Sequence, residues 1–509
     1  MSMRNNNTTR RDRTNGYPSI TEVPLFQDGG RTQRIPAARI SDLAPGPVIA
    51  EPPVTPRPQP TPRPAPMTGI DWGRVRELRE EAATRLTARR GERSELTEEQ
   101  DHELGRSIIT QLVAETIRAD VTTGAVPPTP GEQQALTTAV YDSLFRLGRL
   151  QPLVDDPEIE NIDVYGSTVY VTYPDGRVEP RDPVFDDDEE HIDWLQFHAG
   201  HAVGGGRAFS ESNPALRLNL PGDIRLSAMA WRTPHPSTAI RLHRLKDITL
   251  NQDPGHDLVS YGVMPNYVAD ILSAATIAGT SMVISGPMGS GKTTLVRALS
   301  NSWDPMDKVG TAETERELFL HKMGERHLRV VPAEASPGGG ERRPDGTMHG
   351  AYTLSDILYE FVRQQLDRVI LGEVAGPEIV AMFEAMQMAK GTLSTTHAHT
   401  AQGAINRLVT LAGKAGMTSE FGTRNVAEYI DLIVQLNTTT TGTGNDRRQH
   451  RYVSEVLAIE QSAEGLPVLT TVYRGRADGT GGIEAIPGSL RDKLAEGGMT
   501  ADKLAPWVR

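Results

Sequence analysis

The stretch Gly286, Pro287, Met288, Gly289, Ser290, Gly291, Lys292 and Thr293 constrains this chain more than any other feature, because it fits the pattern Gly-x-x-x-x-Gly-Lys-Ser/Thr without a mismatch. Met282 to Ser285, just before it, reads as a buried strand, and Thr294 to Leu299, just after it, reads as a helix. A strand that turns tightly into a helix N-terminus aims backbone N–H groups, and the positive end of the helix dipole, at one point. Glycine permits the backbone angles such a turn needs. The pattern predicts a phosphate cradle running from Gly286 to Thr294, with Lys292 reaching the β- and γ-phosphates of ATP and the Thr293 hydroxyl ligating Mg²⁺. A strand–loop–helix of this kind needs a parallel sheet around it, so the segment belongs to the α/β class.

Phosphoryl transfer also needs acids that hold the metal and orient the attacking water. Val369-Ile-Leu-Gly-Glu373 is an apolar strand ending in a carboxylate, and such ends are where ligands of open α/β sheets bind. Glu373 is therefore a second candidate for Mg²⁺, alongside Thr293. A further acidic group, from Glu313 to Glu317, follows a short apolar stretch around Val309. Leu393 to His399 runs from apolar through hydroxyl residues into histidine, as expected of a strand that delivers the His397 imidazole to the same edge, where it can sense the γ-phosphate.

The rest of the chain divides by composition and period. Residues 1–68 are a Pro- and Arg-rich tail with few large apolar residues, expected to be disordered. Residues 69–150 read as helical, with Val75, Leu78, Ala82 and Leu86 on one face and a second stripe at Leu136, Val140, Leu144 and Leu147. Thr97 to Gln100 and Thr129 to Glu132 have the form of capping boxes. Residues 151–250 turn to alternating, strand-like patterns broken at Asp175-Gly176, Gly204 to Gly206 and Pro221-Gly222, which suits a small α+β domain. A linker at 251–265 then leads to the α/β domain at 266–509. Near its end three strand-like runs, Ile430–Leu436, Tyr452–Ile459 and Val468–Tyr473, enclose a polar stretch, Thr438–Gln449, expected to be a loop.

Composition narrows the function classes. With no cysteine there is no disulfide framework, thiol catalysis or zinc ribbon. No run of 18 apolar residues and no apolar leader are found, which favours a cytoplasmic protein. A net charge of −13 and only nine Phe weigh against a track for nucleic acid, which calls for a basic face and aromatic stacking.

The order of these motifs resembles the type II/type IV secretion ATPases, especially their tight-adherence pilus branch, from about residue 144 to the C-terminus. Gly286–Thr293 resembles that family's Walker A motif, Glu313–Leu318 its acidic box, Leu371–Glu373 its Walker B motif, and Leu393–Ala398 with Arg407-Leu408 its His box. Leu220-Pro-Gly-Asp-Ile-Arg225 and Ala239-Ile-Arg241 resemble two segments whose arginines reach the nucleotide from the N-terminal domain. The resemblance implies a RecA-like ATPase domain behind a smaller α+β domain, and a catalytic set of Glu313, Glu317, Glu373, His397, Arg225 and Arg241. It also implies a homo-hexamer at the cytoplasmic face of the inner membrane, held there through an inner-membrane platform protein, with no direct nucleic-acid partner. The chain departs from the pattern where Thr314 replaces Asp, Ala375 replaces Arg and Gln365-Leu366 replace Arg-Pro. Slow turnover by a nucleotide-gated scaffold, or a conjugative nucleic-acid motor, are the rival readings.

Overall fold

The computed structural model describes residues 70–91, 97–201, 207–242, 247–336, 338 and 349–505. The tail expected at 1–68, the break at Gly204 to Gly206 and most of the Gly-rich stretch Pro337–Gly346 lie outside them.

Three helices, Trp72–Gly91, Glu98–Thr122 and Pro130–Phe145, come first. Both capping boxes form: the Thr97 hydroxyl accepts from Gln100 N–H, the Thr129 hydroxyl accepts from Glu132 N–H, and each partner side chain bonds back to the cap. Val75, Leu78 and Ala82 pack with Ile109, Leu112, Val113, Ala139 and Val140, so both apolar stripes are plain core.

A six-stranded antiparallel sheet comes next. Its strands are β1 (Asn161–Tyr165), β2 (Thr168–Thr172), β3 (Val178–Arg181), β4 (Ala215–Leu220), β5 (Ile224–Met229) and β6 (Ser237–Leu242), in the order β3-β2-β1-β6-β5-β4. Alternation along each strand decides the faces. Ile162, Val164, Leu226 and Ile240 go to an apolar core with the helix Asp188–Gly200. The opposite face carries one polar row in register across four strands: Asn161, Arg241, Arg225 and Asn219.

The second sheet has nine strands: β7 (Met282–Ser285), β8 (Lys308–Glu313), β9 (Arg329–Glu334), β10 (Arg368–Leu371), β11 (Thr392–Thr396), β12 (Leu432–Thr441), β13 (Arg448–Gln461), β14 (Pro467–Gly475) and β15 (Gly481–Ile483). Their order is β15-β14-β13-β12-β7-β11-β10-β8-β9, parallel from β12 to β9 and antiparallel from β12 to β15. Strand β11 lies between the phosphate-loop strand β7 and the Gly-Glu strand β10, a RecA-like order. Met282 and Ile284 face the helices Asn266–Ile277 and Lys292–Ser300, while Val283 faces the helices Ile379–Met388 and Ala401–Lys414. The three-layer α/β architecture is the expected one.

One local expectation fails. Half of Thr438–Gln449 is strand and not loop: Thr438 to Thr441 pair with Arg451 to Arg448, and the chain reverses between Gly442 and Arg447, with Gly442 and Gly444 at positive φ. The polarity misleads because this hairpin runs beyond the sheet with half-buried or exposed faces, where threonine's branched side chain still favours strand.

Candidate functional site

Every functional element of the second sheet leaves a parallel strand at the same edge. The phosphate loop follows β7, Glu313 ends β8, Gly372-Glu373 follow β10 and His397 follows β11. Gly289 and Gly291 take left-handed backbone angles, with φ of 73° and 90°. Gly286 is needed for closeness instead: a Cβ there would fall 2.5 Å from Ser290 Oγ and 2.8 Å from the Leu436 carbonyl oxygen.

Lys292, the first residue of the helix, is buried. Its Nζ donates to the carbonyls of Gly286 and Pro287, each at 3.1 Å, and to Nδ1 of His397 at 3.1 Å. Burial pulls the ammonium down to about 8, against the opposing pull of Glu373 and Glu317. His397 Nε2 lies 3.5 Å from Glu373 Oε1. These partners assign Nδ1 as acceptor and Nε2 as the N–H. Burial, then the Lys292 charge, hold this imidazole below its ordinary range, which favours the neutral form.

On the other side of the loop, the Thr293 hydroxyl donates to Glu317 Oε2 at 3.0 Å. Glu317 Oε1 in turn accepts from Arg225 Nη1 at 2.6 Å, and the same guanidinium meets Glu315 at 2.9 Å and the Arg316 carbonyl at 3.1 Å. Glu313 is 2% exposed, and its Oε1 accepts from the N–H groups of Glu317 at 2.9 Å and Leu318 at 3.0 Å. Burial pushes its carboxyl up to about 7, although those two N–H groups favour the anion.

Thr293 thus meets Glu317, whereas Glu373 stands with His397 and Lys292. Arg225 reaches the acidic box, and Arg241 lies beside it in register on β6. Two like charges directly opposite on one face repel unless an anion comes between them.

A triphosphate with Mg²⁺ suits these donors. The Ser290 hydroxyl is buried in the loop with no partner among the described residues, and Lys292 gives the cradle its charge. Thr293, Glu317 and Glu373 offer hard oxygens. No group of three or more acidic or histidine side chains is arranged for a metal among the described residues. Mg²⁺ commonly takes one or two protein oxygens and completes its shell with phosphate and water.

Three further residues build the site, and sequence reasoning passed over them. Buried Arg297 donates to the carbonyls of Glu317 at 2.7 Å and Leu318 at 3.1 Å, tying the acidic box to the phosphate-loop helix. A charge inside the apolar run Leu295–Leu299 was its available signal. Gln435 donates to the carbonyl of Ala398, beside His397, at 3.1 Å. Arg451 donates to the Gly289 carbonyl at 2.8 Å. It falls just past the stretch expected to be a loop, so nothing marked it.

No described helix is long and apolar enough to cross a membrane. An uncharacterized protein of Methanocaldococcus jannaschii is 27% identical over 282 residues, covering 55% of this chain and 48% of that protein, so the match spans about half the relative's length. A protein of Mycobacterium tuberculosis, provisionally described as a conjugal transfer protein, is 24% identical over 287 residues, 54% of this chain and 75% of its own. The X-ray structure of the Legionella pneumophila ATPase DotB aligns over 62% of this chain and 81% of its own, at 18% identity and a TM-score of 0.41. The model of the family described as Type II/IV secretion system protein matches residues 210–476, just over half of the chain and all four motif boxes. The chain belongs to the type II/IV secretion system protein family.

Proposed function

We propose that this chain is an ATP hydrolase that converts closure of its N-terminal domain over the nucleotide into mechanical work for pilus assembly or protein secretion. The observation that carries this reading is the relay Thr293–Glu317–Arg225, which joins the phosphate loop to the other domain through the acidic box. In this reading the N–H groups from Gly286 to Thr294 cradle the phosphates and Lys292 holds the β- and γ-phosphates. Thr293 and Glu373 would hold Mg²⁺. When bound, that ion neutralises charge developing on the transferring phosphoryl group. Glu317 and Glu313 order the metal shell and the attacking water, and the neutral His397 imidazole senses the γ-phosphate. Arg225 and Arg241 supply charge to the open side of the nucleotide, where an arginine can be worth orders of magnitude in rate. Membership of the tight-adherence pilus branch, a homo-hexameric ring, the cytoplasmic face of the inner membrane and a platform protein docked there complete the proposal.

Steady-state turnover with Mg²⁺-ATP tests it. Lys292→Ala should lose hydrolysis by at least about a hundredfold, because the ammonium that offsets the negative charge of the transferring phosphates is removed. Glu373→Gln should lose most turnover and keep ATP affinity. A well-folded Lys292→Ala with parental turnover would remove the phosphate loop from the chemistry. A second reading, a conjugative nucleic-acid motor, is favoured by the description of the mycobacterial relative. It requires DNA to stimulate hydrolysis, which the acidic balance of the chain opposes.

A further inference from the structure

The Arg451 guanidinium joins three pieces of chain. Nε donates to the Gly289 carbonyl at the apex of the phosphate loop, at 2.8 Å. Nη1 donates to the Pro174 carbonyl, in the β2–β3 turn of the N-terminal domain, at 2.7 Å. Nη2 lies 3.9 Å from the Glu160 carboxylate, just before β1. The same turn is held from the same hairpin by backbone: Gln449 N–H donates to the Asp175 carbonyl at 2.7 Å. Gly176, at φ 82°, lets the two approach, since a Cβ there would fall 2.6 Å from Gln449 Cβ.

The other end of this hairpin is rooted in the catalytic edge. Gln435 of β12 pairs in register with Ser285, the last residue before the phosphate loop, and its amide holds the Ala398 carbonyl next to His397. One β-ribbon therefore touches the His box at its base, the phosphate loop through Arg451 and the N-terminal domain beyond it. Arginine suits the junction because its planar fork presents several donors at fixed angles and stays charged. Lysine has one donor centre and cannot span two carbonyls from two domains with the same geometry.

We propose that Arg451 is a positioning residue that ties the apex of the phosphate loop to the β2–β3 turn, so that the state of the loop sets the position of the N-terminal domain. The proposal rests on the ATP-hydrolase reading and adds to it a second route, independent of Arg225, by which nucleotide moves that domain. Arg451 meets a carbonyl of the loop and leaves to the phosphates the N–H groups that face them. Its loss should accordingly spare ATP binding and impair domain movement and hydrolysis.

The chain has no cysteine, so Glu189→Cys and Glu384→Cys, both at exposed positions, allow one donor and one acceptor dye to report domain position in the full-length protein. The parent should show a change in energy transfer on adding Mg²⁺-ATP. Arg451→Ala should keep the Kd for a fluorescent ATP analogue within about threefold, keep KM, lose about tenfold in kcat and lose most of the transfer change. Gly176→Ala, which drives the turn off Gln449 without changing a residue of the phosphate-loop domain, should reproduce that pattern, and Arg451→Lys should rescue only part of it. Parental kcat and transfer change in Arg451→Ala and Gly176→Ala would overturn the role of Arg451 and leave the hydrolase standing. A weaker Kd in proportion to kcat would also overturn it, by placing Arg451 in the binding of ATP. A parent that neither binds nor hydrolyses ATP would remove the hydrolase reading and this proposal together.

Discussion

The interior of the nine-stranded sheet and the junction between the two sheets are held by opposite kinds of contact. Met282, Val283, Ile284, Leu371, Leu393 and Val434 are at most 1% exposed and interleave with helices on both faces. Among the described residues, none of the six-stranded sheet's apolar cluster belongs to either cluster of the larger sheet. Polar groups meet where the two sheets adjoin: Arg225 on Glu317, Asn219 on Glu334 at 3.1 Å, Lys322 on Asp223 at 2.7 Å, Arg326 on Asp247 at 2.7 Å, and Arg451 on two carbonyls. Apolar packing is lost outright when surfaces part. Exposed ion pairs and hydrogen bonds exchange for water at a small net cost. The edge that holds the phosphates is thus fixed to a rigid body, while the charges from the other domain are attached by contacts that can release and re-form.

Two substitutions would break this contrast if it is wrong. Ile284→Ala, in the strand that carries the phosphate loop, empties a fully buried site and should cost about 3 kcal/mol, within the usual 2–5 for such a truncation. The midpoint of urea unfolding would report it. Arg225→Ala should cost only about 1 kcal/mol of stability, because the carboxylates it leaves behind, Glu315 and Glu317, are 40% and 33% exposed and can turn to water. Its turnover should nevertheless fall about tenfold, equivalent to about 1.4 kcal/mol of barrier. An unfolding midpoint for Arg225→Ala as low as that of Ile284→Ala would show that the junction is structural core.

The same contrast explains what the sequence could reveal. The phosphate loop, Glu313, Glu373 and His397 were legible because each follows a short apolar strand, and parallel strands bring such ends to one edge. The helix starts at Thr97 and Thr129 were legible because a capping box is purely local chemistry. Strand β9 was not, since Arg329–Glu334 is half-buried, carries a proline and lies at the sheet's edge. Nor was the length of the β12–β13 ribbon, where pairing rather than burial makes the strand. The pairing of Thr293 with Glu317, the hold of Arg297 on the acidic box and the reach of Arg451 depend on which distant segments meet. A one-dimensional period carries no record of that. Residues of the junction were legible only through family resemblance, as with Arg225 and Arg241.

Glu313 is the exception within the rigid body, a carboxylate set into the edge of an apolar sheet, and it gives the smallest effect expected here. Its carboxyl is pushed to about 7 from an ordinary 4.5 by burial. The folded chain therefore binds this proton more tightly than the unfolded chain. The stability linked to it is fully present below about pH 4.5, is lost as pH rises toward 7, and stays lost above. Glu313→Gln removes the titration yet keeps an amide oxygen to accept from the N–H groups of Glu317 and Leu318. Without nucleotide or Mg²⁺ at pH 8, this variant should be more stable than the parent by about 1 kcal/mol, or some 2–4 °C in Tm. The gap should close as pH is lowered to 5, where the parent carboxyl is already neutral. Thermal melts of the two proteins between pH 5 and 8 measure it directly. A gap that widens on acidification, or a variant that melts lower at pH 8, would mean that the two N–H groups outweigh burial and that the acid is held as a stabilised anion. The predicted direction instead makes Glu313 a charge kept at a cost in stability, in the part of the molecule that otherwise gives up least.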